Sequence, residues 1–428
     1  MPIVESLESG EKSITSVKEV IGAEKTGYRW VILTCLWLVN FLYNGFHAGV
    51  TASLLPEIGE ELGLTHTQIG TAWGSMPFGL MLFSVVGGIL ADRFGVKRVI
   101  APALIGGAIF CVARTLLPSF WGLTATMLFM GVSQAFIIPN FFKSIGQWFD
   151  SAELGTAIGL FVVAYNVGSA LGVMLGASVL SPALGGWREV MWLMGGIIIV
   201  LAAMWIILVK ERHSAKAMEE VPLPQPGFLE GLRKVLRIRD LWLLAIIEAC
   251  IIGGSIAWLG MAPDILVSKG MSAGTAGLFI SSYMWVSIPS SIIGAYASDR
   301  CGMRKLFMWP FMMLFGIALM LQGFIMGAPL VCAIVLAGIG HAVAIAPLRA
   351  VILETEGVGR NLSGSAMGVV FTINRFGALV WPILMGALID YTGLYWPPLL
   401  LLGLMGFIST GLALSIKETG MKRRLQAL

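Results

Sequence analysis

Charge is what this sequence has least of. Only 12% of its 428 residues are Asp, Glu, Lys or Arg, against about 25% in an average soluble domain. So little charge cannot cover the surface of a water-soluble protein of this length. Histidine is nearly absent, with four residues. Cys35, Cys111, Cys250 and Cys332 fall inside apolar runs and Cys301 in a basic loop, none with metal or disulfide spacing. No Gly-Lys-Ser/Thr loop and no Ser-His-Asp pattern stands out, so neither a nucleotide-driven pump nor a hydrolase is expected. The reading is of a non-enzyme without cofactor or metal. The first 27 residues lack a signal-peptide pattern and read as a polar cytoplasmic tail. The net charge of +4 is spread through short loops, which gives nucleic acid no patch to bind.

What is abundant is apolar. Hydrophobic residues make up 57% of the chain, with 53 Gly, 23 Met and 14 Trp, a composition suited to close helix packing in lipid. A spanning helix needs about 20 mostly apolar residues. Twelve such runs begin near Tyr28, Thr67, Arg98, Phe120, Leu154, Trp187, Leu241, Gly274, Lys305, Pro329, Ser363 and Tyr395. A polar stretch containing Pro222, Pro224 and Pro226 divides them six and six. The expected organisation is a tail (1–27), a six-helix bundle (28–209), a central loop (210–239), a second bundle (240–416) and a tail (417–428). Arg114, Arg188 and Lys269 fall on one side and Arg349 and Arg375 within helices; the other 23 of 28 Lys and Arg lie on the side of the termini. By the positive-inside rule both termini are cytoplasmic.

The halves repeat. At a shift of 207 residues Pro56-Glu57 falls on Pro263-Asp264, Gly63 and Gly70 on Gly270 and Gly277, Asp92-Arg93 with Gly95 on Asp299-Arg300 with Gly302, Gly131 on Gly338, and Gln134 on His341. With two residues inserted, Gly159, Asn166 and Gly168 fall on Gly368, Arg375 and Gly377. Gly95 and Gly302 permit tight turns. Asp92 and Asp299 are expected to accept bonds from basic partners or helix N-termini across the bundle interface, as a charged latch favouring the outward-open state.

The loop Gly88-Ile-Leu-Ala-Asp92-Arg93-Phe-Gly95-Val-Lys97-Arg98, echoed from Gly294 to Lys305, closely resembles the signature loop of the major facilitator superfamily. The resemblance extends over the whole chain and implies an all-α membrane fold of twelve helices in two pseudo-symmetric bundles. It also implies alternating access by rocking around a central site in a monomeric carrier of the inner membrane.

Ionisable and polar groups at membrane depth mark candidate pathway residues. Arg375 lies near the middle of the eleventh helix, after Asn374; its repeat mate Asn166 follows Tyr165 in the fifth. A guanidinium there suits an anionic cargo. His341, with Gln134 and Asn140 in the fourth helix, is a candidate substrate contact and proton carrier. Glu248 is a second proton candidate, with a salt bridge to Arg375 or Arg349 as the alternative. Asn40, Tyr43, Asn44 and His47 share one face of the first helix and are expected to line a wet cavity; Trp258, Tyr283 and Trp285 could wall it. Lys143, Arg114 and Arg349 read as structural or gate residues.

The resemblance also narrows the choice. Drug/proton antiporters of the superfamily carry an Arg in the fourth helix, where Met127 stands here, and a Gly-Pro pair in the fifth, where Tyr165-Asn166-Val167-Gly168 stands. A lone Arg on the eleventh helix is similar to oxalate/formate and monocarboxylate carriers. The expected function is secondary transport of a small organic anion, a monocarboxylate by charge count, with a proton or a counter-anion. The alternatives are an exporter of neutral or hydrophobic compounds and a nitrate- or cyanate-like porter.

Overall fold

The computed structural model describes residues 27–149, 151–210 and 228–420. Among the described residues, twelve helices are long and apolar enough to cross a membrane: α1 (Gly27–Leu62), α2 (His66–Phe94), α3 (Val96–Leu116), α4 (Phe120–Trp148), α5 (Glu153–Leu184), α6 (Trp187–Leu208), α7 (Arg239–Ser268), α8 (Ala273–Cys301), α9 (Lys305–Gln322), α10 (Ala328–Glu354), α11 (Leu362–Thr392) and α12 (Trp396–Ser415). Each starts within two residues of its expected position. Local chemistry sets several ends. Thr65 and Gln68 form a capping box at the start of α2, and Ser119 and Ser272 cap α4 and α8. The expected tails at 1–26 and 421–428 and the centre of the linker at 211–227 lie outside the described residues. Phe228–Val235, expected as loop, is a short helix.

The two halves pair their helices alike: α1 with α5, α2 with α4 and α3 with α6, then α7 with α11, α8 with α10 and α9 with α12. The repeated glycines serve these pairings. A Cβ on Gly131 would stand 1.9 Å from the Met76 carbonyl oxygen, and one on Gly338 would stand 2.7 Å from that of Tyr283. Gly168 and Gly377 likewise let α5 approach α1 and α11 approach α7.

With an even number of spans, both ends of the described chain lie on one side, here the terminal side; the other is the far side. The bundles meet at the far side. Gly70 of α2 packs against Pro382 of α11, and its repeat mate Gly277 of α8 against Val173 of α5. Toward the terminal side, Gly155 and Gly159 of α5 and Gly364 and Gly368 of α11 have nothing within 4 Å of where a Cβ would sit. The interbundle space therefore opens as a vestibule to the terminal side.

Glu418, beyond α12, anchors the terminal side of the second bundle. Its carboxylate accepts from the backbone N–H groups of Arg304 (2.8 Å), Lys305 (3.0 Å), Thr419 (3.1 Å) and Gly420 (3.0 Å). Burial pushes its pKa up, but these amides outweigh it and leave the group below its ordinary value. A carboxyl so lowered contributes stability above its ordinary range, lost as pH falls through the folded value. Glu418→Gln should therefore cost about 1–3 kcal/mol near neutral pH. The melting-temperature gap to the parent protein should close as the pH is lowered below the ordinary carboxyl range.

Candidate functional site

Arg375 stands about 20 Å along α11 from its terminal-side end, at 1.5 Å per residue. Among the described residues its guanidinium has no hydrogen-bond or ion-pair acceptor, and it is partly open to the space between the bundles. The ionisable groups close enough to act on it electrostatically are Tyr165, Arg349 and Glu248. Tyr165 is 38% exposed, and Asn166, half-buried beside it, donates to the Val162 carbonyl of its own helix. The repeat mates Asn166 and Arg375 thus stand on the two helices whose terminal halves border the vestibule.

Glu248 is fully buried. Its Oε2 accepts from Asn374 Nδ2 at 2.8 Å, and Oε1 lies 3.5 Å from Arg349 Nε. Of the two candidate partners, Arg349 takes the carboxylate and Arg375 does not. Arg349 remains 46% exposed and lies over the Phe371 ring, 5.6 Å from its centroid. It thus stands between the buried carboxylate of α7 and the Phe371 ring of α11. Asn374 is turned inward to Glu248 and does not line the open space.

Three other polar groups depart from expectation. The stripe on α1 faces into its own bundle: Asn40 donates to the Phe161 carbonyl at 2.8 Å, Asn44 to Asn40 at 3.1 Å, and Tyr43 to Ser133 at 2.8 Å. His47 sits 3.4 Å from the Thr51 hydroxyl, and all four are buried. Shared periodicity put them on one face, and interhelical hydrogen bonds satisfy that face. Asn140 bonds to the Gly87 and Phe136 carbonyls and clamps α4 to α2, and Gln134 is buried in the same bundle. His341 stacks on Tyr283 and lies tilted against Phe315, at 5.8 Å each, inside the second bundle, its Nε2 without a partner among the described residues. Trp258 packs on Tyr283 and donates to Gln322, whereas Trp285 is exposed. Arg114 is buried against the sulfurs of Met130 and Met191. Tyr43→Phe should cost about 0.5–1.5 kcal/mol in stability while leaving ligand binding unchanged in a titration of the purified protein.

The signature loops turn as expected, with Gly95 at φ 90° and Gly302 at φ 65°, and Gly88 has open space around it. Their charges close within each half instead of latching across. Asp92 pairs with Lys143 at 2.5 Å, and Asp299 pairs with Arg304, which also holds Glu354 at 2.9 Å. Arg93 lies over Phe94 and Arg300 over Tyr296, and Arg98 is exposed. The bundles are apart on this side, so no latch can bridge them in this conformation.

The clasp between bundles is instead at the far side, among residues the sequence did not single out as a unit. Asp390 at the end of α11 accepts from the backbone N–H of His66 (2.9 Å) and Thr67 (2.8 Å) and faces His66 Nδ1 at 2.9 Å. His66 Nε2 lies 2.9 Å from Asp264 of α7 and 3.3 Å from the Tyr395 hydroxyl. Asp264 Oδ2 takes no directed hydrogen bond, so that contact is one of charge and distance. Burial and the neighbouring Asp264 push the Tyr395 hydroxyl up to about 12, which keeps it protonated. The Trp73 indole adds a bond from α2 to the Ile256 carbonyl at 2.9 Å.

Two bundles with matched pairings, twin signature loops and a central opening are the architecture the sequence resemblance implied, and a comparison of sequences decides the point. The sequence profile of the Major Facilitator Superfamily matches residues 36–262 and again 249–426. The chain belongs to this superfamily. It is therefore a transporter, not an enzyme. Among curated relatives within the superfamily, it is 24% identical over 408 residues to the Probable sulfoacetate transporter of Cupriavidus necator, covering 88% of this chain and 90% of that one. It is 26% identical over 309 residues to the Probable galactarate/D-glucarate transporter of Bacillus subtilis, with 64% and 66% covered. The chain spans about half the length (48%) of a similarly named Escherichia coli protein that it matches at 27% identity. It also resembles the Phosphoglycerate transporter protein of Salmonella typhimurium, at 23% identity over 93% of this chain and 91% of that one. Among solved structures, a bacterial homologue of the human lysosomal transporter Spinster, inward-facing and unoccupied, superposes with a TM-score of 0.78 at 17% identity, covering 91% and 96% of the two chains.

Proposed function

We propose that this protein is a secondary carrier of a small organic anion, whose carboxylate is held by Arg375 in the vestibule between the bundles. The observation that carries the reading is the Arg375 guanidinium itself: at mid-membrane depth, partly open, and without a protein acceptor among the described residues. A cation in that position stays in the membrane at a cost of about 2.5–3.5 kcal/mol unless something neutralises it, and a carboxylate matches its fork with two parallel bonds. Tyr165 and Asn166 stand across the opening as neutral contacts. The transporters of sulfoacetate, sugar diacids and phosphoglycerate among the relatives support an anionic cargo. With Glu248 spent on Arg349, one positive charge is left over, which fits a monocarboxylate. The basic terminal side faces the cytoplasm, so the vestibule is inward-open and the far side faces outward across the cytoplasmic membrane. The cargo moves with a proton or in exchange for another anion.

The test is ligand-induced stabilisation of the purified protein. Small carboxylates should raise the melting temperature in proportion to the logarithm of their concentration, while lipophilic cations and neutral lipophiles should not. Stabilisation by the latter group alone would replace this reading with an exporter of hydrophobic compounds.

A further inference from the structure

The proton candidate and the cargo cation are linked through a third group. Glu248 is buried among one neutral donor, Asn374, and one long ion pair, to Arg349. Asn374 donates through Nδ2, yet its own carbonyl oxygen is buried with no donor. A buried acceptor left without a donor is costly, about 1–3 kcal/mol. A carboxylic acid at Glu248 would remove that cost: its carbonyl keeps the Asn374 N–H while its O–H turns to Asn374 Oδ1. The same protonation cancels the charge that holds Arg349, which is already half-exposed to the vestibule where Arg375 stands. The other charged or titratable groups facing this cluster are His341 on α10 and Tyr165 on α5.

We propose that Glu248 and Asn374 form a proton site that sets the charge of the accepted cargo. With Glu248 ionised, Arg349 is engaged and only Arg375 is free, for a monoanion. With Glu248 protonated, Arg349 joins Arg375 and the pair takes a dianion, such as a sugar diacid or a sulfonated carboxylate. The proton comes from water and stays on the Glu248 carboxyl, and no other bond is made or broken. The vestibule thereby carries a net load of minus one in either case, as a monoanion or as a dianion with its proton. This rests on the reading of Arg375 as the cargo contact.

The test is calorimetric titration of the full chain with D-glucarate and sulfoacetate, both dianions above about pH 5, and with D-gluconate as the monoanion. Dianion affinity should rise as the pH is lowered, by at most about tenfold per unit for one linked proton, with a net uptake of protons on binding, while gluconate affinity stays level. In Glu248→Gln the dianion affinity should lose its pH dependence and hold at its acid-side value. Arg349→Gln combined with Glu248→Gln, which leaves no unpaired carboxylate beside Arg375, should lose dianions and keep gluconate. An unchanged pH slope in Glu248→Gln, or dianion binding without proton uptake in the parent protein, overturns the proposal. If gluconate binds and dianions never do, the charge switch falls and the Arg375 reading stands. If no anion of either charge binds, both fall.

Discussion

Replacing Arg375 with alanine is expected to weaken anion binding by at least about 30-fold and to bring uptake in proteoliposomes to background. Truncating one member of a desolvated charge pair costs about 2–5 kcal/mol, and Arg375 has no acceptor in the described protein that could substitute for the cargo. The fold should survive, because no hydrogen bond or ion pair within the described residues is lost. Arg375→Lys separates charge from shape: an ammonium keeps the attraction but not the planar fork, so it should recover part of the affinity and none of the bidentate geometry. Calorimetric titration of the variants, with circular dichroism to confirm helicity, reads both effects. Full-strength carboxylate binding by Arg375→Ala would move the cargo site elsewhere.

The second large effect is conformational. Gly70→Val should prevent the far side from closing. A Cβ there would stand 2.2 Å from the Pro382 carbonyl oxygen and 2.6 Å from its carbon, and both atoms belong to backbone that cannot step aside. Relief requires the bundles to part, so the added volume acts as a wedge. Spin labels on Ala183 and Leu394, exposed far-side positions on the two bundles, should report a longer distance in Gly70→Val. Uptake should fall sharply while helix content stays constant. An unchanged distance distribution would mean that the interface yields locally and that Gly70 is incidental to closure.

How far the sequence reached depends on the range of the forces involved. Span positions are local, set by about 20 apolar residues each, and the structure starts every helix close to where the runs begin. The repeat was legible because Gly70 and Gly277, or Gly131 and Gly338, do the same packing in each half. The direction of a helical face was not. The α1 residues at spacings of three and four do share a face, but spacing is silent on whether that face meets water or a neighbouring helix. Tyr43 and Asn40 found partners on α4 and α5. Nor did depth along the helix say which of two arginines would take Glu248. The clasp was least accessible of all, since His66 and Asp390 are separated by 324 positions and each alone looks like an ordinary helix-end polar residue. Asp264 held the only hint, through its alignment with Glu57. That pair has diverged in use: Glu57 accepts from Ser181 and the Trp187 amide of its own bundle, whereas Asp264 reaches across to His66.

Where Gly70 meets Pro382 and Gly277 meets Val173, main chain rests on main chain. Such a contact has no rotamers to freeze when it forms and none to release when it parts, whereas a long side chain immobilised there would cost up to about 2 kcal/mol. The swing between conformations is thus nearly free of side-chain entropy at its pivot surfaces. Its balance is left to the few polar groups that trade water for one another around His66, and small changes in those groups should tilt it.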